Sequence, residues 1–179
     1  MSNIVQATPD DYEEMVTTGN LCFGLDRGVL EKRWCHVWGG HLQQPSADYM
    51  QNFFLYRRDG CIWGMLAVVP MVLEWDDEKI DTGGISAAAT HPQYRKKGVM
   101  SELLTHADSM MQTRGDIISV LGGDRQRYGH FGWEHIGVRP VLVFGKKYLD
   151  SNPQAQLDPV RITADSSQAV LDAVVSLHD

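Results

Sequence analysis

The segment Thr90-His91-Pro92-Gln93-Tyr94-Arg95-Lys96-Lys97-Gly98-Val99-Met100 holds the residue types best suited to gripping an anion. It reads as a turn between a strand and a helix. Such a turn aims the helix's first free amides, and the positive end of its dipole, at the mouth. Arg95, Lys96 and Lys97 add charge in the same place, and Gly98 lets backbone approach a ligand where a side chain would collide. These features describe a pyrophosphate cradle. A solvated basic turn ahead of a helix that begins with glycine has the same spacing, and spacing alone does not choose between them.

A second group is Tyr128-Gly129-His130-Phe131-Gly132-Trp133. A phenol, with an ordinary pKa of about 10, stays protonated at neutral pH yet can donate to a more basic anion. Taken alone, Tyr128 suits a core tyrosine beside Phe131 and Trp133 better. His130 belongs to a residue type that titrates near neutral pH. Helical spacing turns it from Tyr128, so it is left out of the catalytic set. Cys22, Cys35 and Cys61 are odd in number and none is spaced as CxxC. A disulfide framework and a zinc site are therefore not expected, and buried free thiols in a reducing cytoplasm are. No metal is implied.

The elements that must position these groups follow from periodicity. Ile4 to Ala7 is a short strand, and Thr8-Pro9-Asp10-Asp11 starts a helix that Gly24 ends. Leu30, Trp34 and Trp38 give a second helix, Leu30 to Trp38, an aromatic face. Phe53 to Tyr56 and Ile62 to Val69 are strands about an Asp59-Gly60 turn, and Pro70 is expected to end or kink the second. Val72 to Trp75 continues extended, Asp76-Asp77-Glu78 turns, and a strand runs from Ile80 through Thr90. An amphipathic helix from Gly98 to about Arg114 carries Val99, Met100, Leu103, Leu104, Ala107, Met110 and Met111 on one stripe, closed by Gly115. Ile117 to Leu121 reads as a buried strand parallel to the one before the helix. A loop at Gly122-Gly123-Asp124, a short helix over Arg125 to Phe131 and a strand over Val138 to Phe144 follow. The pattern is an antiparallel meander joined to a strand–helix–strand crossover.

The basic segment resembles motif A of the GCN5-related N-acetyltransferases: Arg or Gln, two residues, Gly, one residue, then Gly or Ala. Arg95 and Gly98 fit, as does the strand ending Ala-Thr-His-Pro, and Met100 departs at the last position. A basic run followed by Gly-Val-Met is similar to the branch of enhanced intracellular survival acetyltransferases. Tyr128 to Trp133 looks like that branch's Tyr-Gly-Arg-Phe-Gly-Tyr signature. The resemblance covers about Ile4 to Lys147. It implies an α+β fold with a central mixed, mostly antiparallel sheet, helices on both faces and a β-α-β core for acetyl-coenzyme A. It further implies that Ala88, Ala89 and Thr90 offer backbone to the pantetheine arm and that amides from Lys96 to Ser101 hold the pyrophosphate. Gly123 and Asp124 would line the thioester end, and Tyr128 would protonate the departing thiolate. The branch's general base, a carboxylate at the end of a much longer chain, has no counterpart in these residues.

The chain has 179 residues, with 43% hydrophobic and 22% charged, enough for one domain and a little more. Sixteen basic against 23 acidic side chains leave a charge of −7, which argues against nucleic acid as a partner. An acidic surface suits a cationic amine. No signal peptide or membrane span is apparent, so a soluble cytoplasmic protein is expected. The domain is read as residues 1–147, a linker as 148–159 and residues 160–179 as the start of a possible second domain, the chain then being a fragment. Three activities fit: an acetyl-coenzyme A dependent N-acetyltransferase for a small-molecule or peptide amine, a non-catalytic acyl-coenzyme A binding module, and an assembly domain that could form homo-oligomers.

Overall fold

A computed structural model describes residues 3–26 and 47–136. The expected helix over Leu30 to Trp38, the strand over Val138 to Phe144, the linker and the start of a second domain lie outside those residues.

One sheet holds β1 (Ile4–Gln6), β2 (Phe53–Arg58), β3 (Cys61–Trp75), β4 (Glu78–Thr90) and β5 (Ile118–Leu121), in that spatial order. The first three pairings are antiparallel and the last is parallel. Asp59 and Gly60, with φ of 53° and 76°, make the left-handed two-residue turn that an Asp-Gly pair favours. Helix α1 (Tyr12–Phe23) follows Thr8, whose amide and hydroxyl both donate to Asp11, and ends at Gly24 in the left-handed conformation. A short α2 (Ala47–Met50) leads into β2. Helix α3 (Val99–Arg114) is the crossover between β4 and β5, and α4 (Arg125–Tyr128) follows β5.

Strand alternation divides the core between the two faces. Phe53, Leu55, Met65, Ala67 and Ala89 turn one way, against Met15 and Val16 of α1. Phe54, Tyr56, Leu66, Val68 and Ile85 turn the other way, against Val99, Leu103, Leu104, Ala107 and Met111 of α3. Each large apolar side chain removed from water there contributes roughly 2 kcal/mol before entropy is charged against it. The mixed, mostly antiparallel sheet with a helix on each face is the architecture the sequence implied.

Three expectations fail. Strand β5 forms where expected and parallel to β4, but it is not buried: Ile118 is 38% exposed, and Ile117 just before it is 71% exposed. Pro70 neither ends nor kinks its strand: β3 runs on to Trp75, with Pro70 opposite Gly83. The Val68 amide points toward β2, donating to Asn52 O at 2.8 Å. Pro70, two residues on, turns its nitrogen the same way, where β2 has already ended. The amide hydrogen it lacks would have met no strand, so the ladder to β4 loses nothing. The thiols are not uniformly buried either, because Cys61 is exposed beside the β2–β3 turn and Cys22 is half-buried. Among the described residues no helix is long and apolar enough to cross a membrane, and no His, Cys, Asp and Glu side chains group as metal ligands.

Candidate active site

Strands β4 and β5 part company at the site. They pair from Thr82 with Ile118 to Ile85 with Leu121, and β4 then continues through Ser86 to Thr90 with no strand on that side among the described residues. A bulge begins where they separate. Met65 faces Ala89 and Ala67 faces Ser86, so β4 carries one extra residue, and Ala87 takes a φ of 52°. A side chain at that φ costs energy that a glycine would not, and such outliers concentrate at working sites. The His91 amide donates to Trp63 O at 2.9 Å, toward β3. By alternation Thr90, and before it Ala88, turn their amides and carbonyls into the gap.

The loop after β4 supplies the second wall. A 3-10 turn over Pro92–Tyr94 leads to Lys96 at φ 63° and Gly98 at φ 81°, with Lys97 between them at negative φ. Alternating handedness of this kind turns successive amides into one concavity, a nest for an anion. Gly98 is the N-cap of α3, and the Glu102 amide is the first to bond back, to Gly98 O at 3.0 Å. The amides of Val99, Met100 and Ser101 are therefore left without intrahelical partners. A Cβ at Gly98 would meet nothing within 4 Å, so the glycine is fixed by its φ and leaves the mouth open.

The three cations expected over this mouth do not act alike. The Lys97 ammonium lies 5.1 Å from the Trp63 ring centroid and 5.3 Å from that of Tyr94. Arg95 folds back, donating from Nε to Thr90 O at 3.4 Å. Burial raises the pKa of the half-buried Cys22 thiol, and the charge of Arg95 partly opposes that rise. Lys96 is exposed and has no ion-pair partner among the described residues.

Tyr128, Gly123 and Asp124 form a second group. The Tyr128 ring is 8% exposed and lies against Gly123, where a Cβ would come within 2.5 Å of it. Asp124 caps α4, accepting from the Gln126 amide at 2.9 Å. All three border a cavity of about 350 Å³ that β5, α4 and the segment after α4 line, with no β4 residue among its described lining. The groups meet through the core: Tyr128 and Val99 share one buried cluster, and Ala88 and Met100 pack against it. Ser119 steadies the segment after Tyr128, donating to Gly83 O at 3.0 Å and accepting from Trp133 Nε1 at 3.2 Å. His130 is exposed, tilted against Phe131.

Residues 3–136 match the family model described as an acetyltransferase (GNAT) domain. The chain belongs to the GNAT acetyltransferase family. Solved structures with the same fold include a GCN5-related N-acetyltransferase from Anabaena variabilis, 23% identical over 72% of this chain and 30% of that one, with a TM-score of 0.59. Eis1 from Mycobacterium abscessus is 14% identical over 72% of this chain and 31% of its own, at a TM-score of 0.56. A putative acetyl transferase from Pyrococcus furiosus, 16% identical at a TM-score of 0.61, is matched over 79% of this chain and 98% of its own. The chain thus spans less than a third of the first two, and no curated protein sequence matches it. Within the GNAT domain, the Trp63–Gly64 pair, which receives the His91 amide and leaves room for Val99, and the Ala87 bulge are features that sequence reasoning missed. Gly64 inside an apolar strand was the signal for the first, and Ala87 gave none.

Proposed function

We propose that this GNAT domain transfers the acetyl group of acetyl-coenzyme A to a primary amine by direct attack, with Tyr128 as general acid. The observation that carries the reading is the gap beyond Ile85, where the outward backbone of β4 and the nest before α3 share one mouth. The donor set fits the coenzyme: Ala88 and Thr90 match an amide-bearing pantetheine arm, and the amides from Lys96 to Ser101, with the Lys96 ammonium, match a pyrophosphate. Ala89 turns inward and holds this edge against β3, and Arg95 braces it from Thr90 O. Gly123 and Asp124 serve the thioester end through the placement of Tyr128. In the transfer a C–N bond forms and the C–S bond breaks, the thiolate takes the phenol proton, and the amine's proton passes to a base outside the set named here. The Met100 departure and the Tyr128 segment favour the enhanced intracellular survival branch, and the acidic surface favours a cationic acceptor.

Isothermal titration with acetyl-coenzyme A tests the reading. Gly98→Glu should abolish binding, because it sets a carboxylate and an L side chain at φ 81° in the mouth. An unaltered isotherm for that variant, or no binding by the wild type at millimolar ligand, would sink it. An acyl-coenzyme A binding module without turnover is the second reading. The close burial of the Tyr128 ring against Gly123 suits it too, and it requires Tyr128→Phe to change nothing but the phenol.

A further inference from the structure

The register of β2 and β3 slips by one residue at the end nearest the cradle. Tyr56 faces Gly64 and Arg57 faces Ile62, which leaves Trp63 as the extra residue of a β-bulge. A bulge re-aims side chains, and here Trp63 and Gly64 serve the α3 face together. The Tyr94 ring lies flat on Trp63, with centroids 4.1 Å apart and planes at 8°. Val99 fills the place beside Gly64, where a Cβ would sit 2.6 Å from Val99 Cγ1 and 3.1 Å from Ala89 O. Tyr94 and Val99 are the residues on either side of the loop 95–98.

We propose that the β3 bulge is the positioning element of the cradle. Trp63 seats the residue that enters the loop and Gly64 the residue that leaves it, and Lys97 packs beside the first seat instead of serving the phosphates with its side chain. The inference rests on the coenzyme reading and assigns work within that site. Holding both ends of a four-residue loop limits the paths open to its backbone, so the left-handed positions at Lys96 and Gly98 are set before ligand arrives. Preorganisation of that kind shows as affinity. The cations then have separate tasks: Lys97 beside the Trp63–Tyr94 stack, Arg95 against Thr90 O, and Lys96 free at the mouth.

The test is titration of acetyl-coenzyme A into the full chain over a range of salt concentrations, well below each variant's ligand-free melting temperature. Tyr94→Leu removes the stack and should weaken binding about tenfold. Tyr94→Phe keeps the ring and should stay within about twofold of the wild type, a rescue that follows from stacking alone. Lys97→Met should weaken binding with a smaller loss of salt dependence than Lys96→Met, because the charge paired with phosphate carries the larger share of that dependence. Wild-type affinity in Tyr94→Leu overturns the inference, as does equal flattening by Lys97→Met and Lys96→Met, and both outcomes leave the coenzyme reading standing. Failure of the wild type to bind overturns both together.

Discussion

The Tyr128 hydroxyl has no hydrogen-bond partner among the described residues, although its ring is only 8% exposed. A phenol held by its ring and free at its tip is poised to give its proton to something that arrives later. Loss of that proton donor should appear in turnover and not in coenzyme affinity. We expect Tyr128→Phe to lower kcat on the order of 10²-fold with little change in the KM for acetyl-coenzyme A. Equal rates in both proteins, measured as thiol release with any accepted amine, would remove Tyr128 from the mechanism. At this scale the sequence was legible where chemistry and backbone demand coincide. Gly98 is needed for its φ, and its place between a basic run and an amphipathic stripe could be read directly. Ala87 could not be read, because its φ of 52° comes from the register of β3 against β4 and not from any local preference of alanine. The tasks of the cations were equally hidden, since the ring that receives Lys97 lies on another strand.

Between elements, a charge network ties α1 to the sheet. Arg57 on β2 reaches Asp11 and Glu14, each at 2.7 Å, and Glu14 also accepts the Ile62 amide at 2.8 Å. Burial pushes the Asp11 carboxyl up, but hydrogen bonds from Thr8 and Arg57 and the charge of Arg57 outweigh it and leave its pKa lowered. Burial likewise opposes the Arg57 charge, and its bonds to Glu14 and Asp11 reverse that and raise its pKa. Because folding lowers the Asp11 pKa, its contribution to stability is complete above the ordinary value of 3.8 and is lost as pH falls through the folded value. Asp11→Asn should therefore cost about 1 kcal/mol at neutral pH, and the two melting curves should converge as the solution is acidified below that range. A gap that persists at low pH would mean that the carboxylate acts through packing and not charge. The helices, the hairpin turns and the crossover were legible because caps, Asp-Gly pairs and a 3.6-residue stripe are local signals. Pro70 misled because the end of β2, a property of the neighbouring strand, decides whether its missing amide hydrogen matters.

On the scale of the molecule, no strand among the described residues pairs with the outer side of β4 along Ser86 to Thr90, the edge along which we propose that the coenzyme lies. A ligand that binds only the folded chain raises stability by about 2.7 kcal/mol at a hundredfold excess over its Kd. The melting temperature should rise accordingly with acetyl-coenzyme A. Hydrogen exchange should slow at the amides of Ala88 and Thr90, which face the gap, and stay unchanged at Ala89, which faces β3. Protection that appeared equally at all three would point to general tightening instead of occupancy of that edge. Two bulges, in adjoining strands, set both sides of this arrangement. Neither was visible in the sequence as a bulge, since each is defined by a partner strand.

Strand β3 also has an optical consequence. Trp63 at its beginning is 6% exposed and lies among rings and cations, while Trp75 at its end is 73% exposed. Twelve residues of extended chain hold the two indoles roughly 40 Å apart. The first should emit from among packed rings beside the loop, and the second from water at the far end of the same strand. With Trp34, Trp38 and Trp133 replaced by phenylalanine, the strand becomes a ratiometric gauge, whose Trp63 channel should respond to loading of the mouth and whose Trp75 channel should not.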